Sequence, residues 1–169
     1  MAEAESSEDL LRISSRARDI HLIIKDIFAS NKVDLPERQY IYVGGEEDTA
    51  HDSDQLTISF AGLELKTTTT STSMYTGGCY ASFVATYIIE IVRCTPQATN
   101  KGKYADLAPA ADKLDEYGSS RAIDSWLLVR VGQAIGSLPD NIGGNSFKLT
   151  AEKESGGVQA IRLTVDVMV

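Results

Sequence analysis

The stretch CYASFVATYIIEIVRC, Cys79 to Cys94, carries both cysteines of the chain and only Glu90 and Arg93 as charged residues. It is rich in Val, Ile, Thr, Phe and Tyr. Its odd positions, Ala81, Phe83, Ala85, Tyr87, Ile89 and Ile91, form one apolar row at period 2, which is the pattern of a β-strand. Even positions such as Val84 and Ile88 then belong to the opposite side and are expected to be exposed. In an extended chain the two thiols lie roughly 50 Å apart, and in a helix about 22 Å, whereas bridged Cα atoms lie within about 7 Å. The cysteines are therefore expected to be reduced, which points to assembly in a cytosol. No His or further Cys stands at ligand spacing, so a structural zinc site is not expected. A strand of about 15 residues exceeds the usual five or six, so part of it should run past its own sheet or be covered by another copy.

Upstream, KTTTTSTSMYTGG (Lys66 to Gly78) is low in complexity and ends in two glycines, and reads as an extended, flexible hairpin loop over 66–78. If this loop orders in an interface, Met74 and Tyr75 are its anchors. Before it, QLTISFAGLEL alternates Leu56, Ile58 and Phe60 until Gly62 breaks the pattern, as a bulge does. QYIYVGG (Gln39 to Gly45) is a short strand ended by glycines. The polar connection between these strands contains Asp48, Asp52 and Asp54, but it lacks the glycine and later Glu of a calcium loop, so no metal site is assigned. At the start of the chain, Leu10, Ile13, Ala17, Ile20, Ile24 and Ile27 recur at spacings of three and four. They predict an amphipathic helix running to about Ser30, behind a capping-box-like Ser6 and Asp9.

Downstream, Pro109 sits where a helix can begin. That helix carries Ala111, Leu114 and Tyr117 until Gly118, Ser119 and Ser120 interrupt it. IDSWLLVRVGQAIGSL then offers Ile123, Trp126, Leu127, Val131 and Ile135 on one helical face, with Trp126 in the core. The last segment places Ile161, Leu163, Val165 and Val167 on one side of a terminal strand, paired through ESGG with Phe147 and Leu149. The order helix, strand, strand, long strand, helix, strand, strand predicts an α+β fold. Its sheet is largely antiparallel, with about four to five strands, the long strand at its centre and helices packed on one face.

The chain has 169 residues, 43% hydrophobic and 24% charged, which suits one domain over 1–169 with a single core. Its formal charge of −8 argues against a groove that grips phosphates. No apolar run approaches a membrane span, and the opening MAEAESSEDL is acidic where a secretory signal is basic, so neither membrane nor export is expected. Catalysis needs convergent groups. The only histidines are His21 and His51, no phosphate loop or nucleophile elbow is present, and neither an enzyme nor a cofactor is expected.

The pattern Leu35, Pro36, Arg38, Tyr40, Val43, Gly44, then Asp52, Gln55 and Leu56, followed by VATYIIEIVRCTP and by Asp124 and Trp126, resembles the tail terminator, or head-to-tail connector, proteins of long-tailed phages that infect actinobacteria. The resemblance covers roughly residues 33 to 135. It implies a structural virion protein assembled in the host cytoplasm and residing in the tail at the head-tail junction. Such a protein forms a homo-oligomeric, hexameric ring that caps the tail-tube protein, stops its polymerisation and meets the head-completion (stopper) protein. Genome DNA would pass through the ring without specific binding. The surface between neighbours, or towards the tube, is then expected at Met74, Tyr75, Tyr80, Val84 and Ile88. The alternatives are another connector ring, such as a head-closure protein, and a monomeric ligand-binding α+β module with its pocket in the helix-sheet seam.

Overall fold

The computed structural model describes residues 2–43, 54–69, 79–95, 111–138, 146–151 and 158–168. Two helices, α1 (Ala2–Ser30) and α2 (Ala111–Gly136), pack against one five-stranded sheet. Its strands are β1 (Arg38–Tyr42), β2 (Gln55–Thr69), β3 (Cys79–Cys94), β4 (Phe147–Ala151) and β5 (Val158–Met168), in the order β1-β2-β3-β5-β4. Every pairing is antiparallel except β1 with β2. The α+β class, the element order and the central place of the long strand are as the sequence pattern predicts.

Both helices lie on the face that bears the odd positions of β3. Ala85, Tyr87, Ile89 and Ile91 form one buried cluster with Ile13, Ala17, Ile20, Ile24 and Phe28 of α1 and Leu127, Leu128, Val131 and Ile135 of α2. The helix spacing and the strand alternation thus meet in one core. Helix α1 ends in a Schellman turn, in which Val33 N–H reaches the Phe28 carbonyl at 3.0 Å and Lys32 N–H the Ala29 carbonyl at 3.0 Å. Lys32 takes the left-handed conformation, φ 56°, that this closure needs. The turn delivers the chain to β1 alongside the start of β2.

Three sequence-based expectations are corrected. First, α2 is one helix of 26 residues and does not break at Gly118. Gly118 has open space around it, and its intrinsic cost of about 1 kcal/mol is opposed by contacts on both sides of it. The Tyr117 hydroxyl donates to Gln159 at 3.3 Å, and Asp124 is locked to β3. Second, Trp126 and Ile123 are not core residues. They are 53% and 44% exposed, because the buried face of α2 turns through Asp124, Leu127, Leu128 and Val131. Arg130 lies over the Trp126 ring at 5.0 Å, a cation-π contact at the surface. Third, Lys66 to Thr69 are not loop: β2 continues through Thr69, paired with Cys79. A run of threonines is β-branched and extends a strand readily where a partner strand is available. The remaining residues of the expected loop, 70–78, lie outside the described residues.

Candidate functional site

The feature that sets this sheet apart is the length of β2 and β3 relative to their neighbours. β1 covers β2 only as far as the Tyr42–Ser59 pair, and β5 covers β3 only as far as the Met168–Val84 pair. Beyond these points, among the described residues, β2 and β3 pair with each other alone, from Leu65–Phe83 to Thr69–Cys79. A two-stranded ribbon is marginal in water and presents open edges on both sides.

The register shift between Phe60 and Gly62 leaves Ala61 as the extra residue and decides which side chains the ribbon displays. Before the bulge Leu56, Ile58 and Phe60 are the core-facing positions of β2; after it the same face carries Leu63 and Leu65, opposite Ala85 and Phe83. The core face therefore continues onto the ribbon, where it is uncovered. Leu63, Leu65 and Phe83 are 45%, 52% and 44% exposed. Covering a half-exposed side chain of this size contributes about 1 kcal/mol. These three residues outrank the surface anticipated from sequence. The signal was the phase change of the leucines across Gly62, which keeps them on the core side of a bulged strand.

Of the anticipated surface residues, Met74 and Tyr75 lie outside the described residues. Tyr80 falls in the ribbon by its backbone, and nothing of its side chain is described. Val84, expected to be exposed, is buried at 3%, which is a correction: it stands where the sheet widens to three strands, between Glu64 and Met168. Ile88 is half-buried between Ser59 and Thr164 on the same, second face. The expectation that even positions of β3 point freely outward thus fails at Val84. It fails also at Glu90 and Val92, which are 5% and 0% exposed. Glu90 is held by Arg162, whose Nη2 and Nε donate to Glu90 Oε2 at 2.6 and 3.0 Å.

At its other end β3 is tightly held. Arg93 donates from Nε and Nη2 to both oxygens of Asp124, at 2.9 and 3.0 Å, and from Nη1 to Asp54 at 3.3 Å. Asp54 also accepts the Cys94 N–H at 2.8 Å, so it is committed to this structural cluster. Asp124 is fully buried. Burial works against the Arg93 charge, but the hydrogen bonds and charges of Asp124 and then Asp54 outweigh it and hold the guanidinium above its ordinary pKa. Two clefts flank this cluster. One, of about 320 Å³, is lined by Arg93, Cys94, Lys113, Glu116 and Tyr117; the other, of about 430 Å³, by Leu35, Pro36, Glu37 and Arg38. The helix-sheet seam itself is filled by the core side chains named above.

His21 lies beside the buried stripe of α1 and bonds through Nε2 to Gln39 Oε1 at 2.7 Å, tying α1 to β1. Among the described residues there is no cluster of metal-ligating side chains, and no helix is long and apolar enough to cross a membrane. His51 lies outside the described residues. No protein-family model matches the chain, and no curated protein matches it at a significant level.

Proposed function

We propose that this chain is a structural virion protein, the tail terminator of a long-tailed phage. It assembles into a hexameric ring that caps the tail tube, stops its polymerisation and offers its other face to the head-completion protein. The observation that carries the reading is the β2–β3 ribbon: an extension of the core face on which Leu63, Leu65 and Phe83 are about half exposed, with no further strand paired to either edge among the described residues. A chain that keeps such a surface needs a partner to cover it. The motif resemblance over residues 33 to 135 supplies the partner class. The account has no enzymatic or cofactor role, and assembly takes place in the host cytoplasm.

The net charge of −8 suits a passage through which DNA moves without being held, since an acidic wall repels phosphates. A related connector ring, such as a head-closure protein, shares the ribbon argument and differs in which virion protein it meets. A monomeric ligand-binding module with its pocket in the helix-sheet seam is less well supported, because side chains fill that seam. The test is genetic: deleting the gene should give overlong or headless tails. Tails of normal length that still join heads would exclude the terminator role.

A further inference from the structure

We draw no further inference here: the strongest candidate, the exposed patch of Ile123 and Trp126 on the outer face of α2 with Arg130 over the Trp126 ring, is an unpartnered helix face, and nothing in the structure shows what covers it.

Discussion

The two ends of β3 have opposite surroundings. From Tyr87 to Cys94 the strand has a partner on each side, helices over its odd positions and, at Arg93, a cation fixed to a fully buried carboxylate. From Cys79 to Phe83 it has one partner strand among the described residues, and Phe83 at its end is 44% exposed. One continuous strand thus serves two purposes, since its covered half holds the domain together and its uncovered half contributes little to the isolated chain. Surface that the monomer does not need is where an assembly contact can be made without loss of fold.

The contrast can be broken by measuring stability along the strand, in an assembly-deficient background so that subunit contacts do not contribute. The largest loss is expected at the anchored end. Asp124→Ala leaves the Arg93 guanidinium without its buried partner and should cost about 3–5 kcal/mol in urea unfolding. A loss below about 1 kcal/mol would mean that Asp54 and water replace Asp124, and that this end is no better held than the ribbon.

A smaller effect is expected at Tyr87, the core-facing tyrosine opposite Phe60, where full coverage ends. Its buried hydroxyl donates to the Ile13 carbonyl at 2.9 Å, and Tyr87→Phe should cost about 1 kcal/mol at neutral pH. Burial, the largest cause, pushes this hydroxyl above its ordinary pKa of 10.0, with Arg16 opposing and Asp19 adding to the shift. The folded chain therefore holds the proton more tightly than the unfolded one. This component of stability is complete below about pH 10 and falls above it by up to about 1.4 kcal/mol per pH unit. In Tyr87→Phe that component should vanish; an unchanged alkaline slope would show that another group carries it.

Much of this contrast was legible in the sequence, and the illegible parts have physical reasons. Period-2 alternation identified β3, and its excess length gave notice of a projecting end, because strand length is a local property. Helix α1 was equally readable from its 3.6-residue stripe. Gly118 misled, because a propensity cost of about 1 kcal/mol is overridden by tertiary contacts made at Tyr117 and Asp124. Trp126 misled because its size favours burial in general, while the turn of α2 that positions Asp124 against Arg93 puts Trp126 outside. The Arg93–Asp124 pair spans 31 positions, and no local pattern announces it. Val84 showed the limit of alternation, since period 2 assigns a face and does not say whether that face is covered.

The smallest effect on stability, and the largest on assembly, is expected in the ribbon, and one paired measurement tests the central claim that this surface exists for a partner. Leu63→Ser combined with Leu65→Ser removes two exposed apolar side chains and should change unfolding stability by no more than about 0.5 kcal/mol. Native mass spectrometry of the unaltered chain should show a closed oligomer, six copies under the ring reading, and of the doubly substituted chain a folded monomer. The same oligomer in both would contradict the account, as would a substituted chain that unfolds, because the ribbon would then belong to the fold and not to the interface.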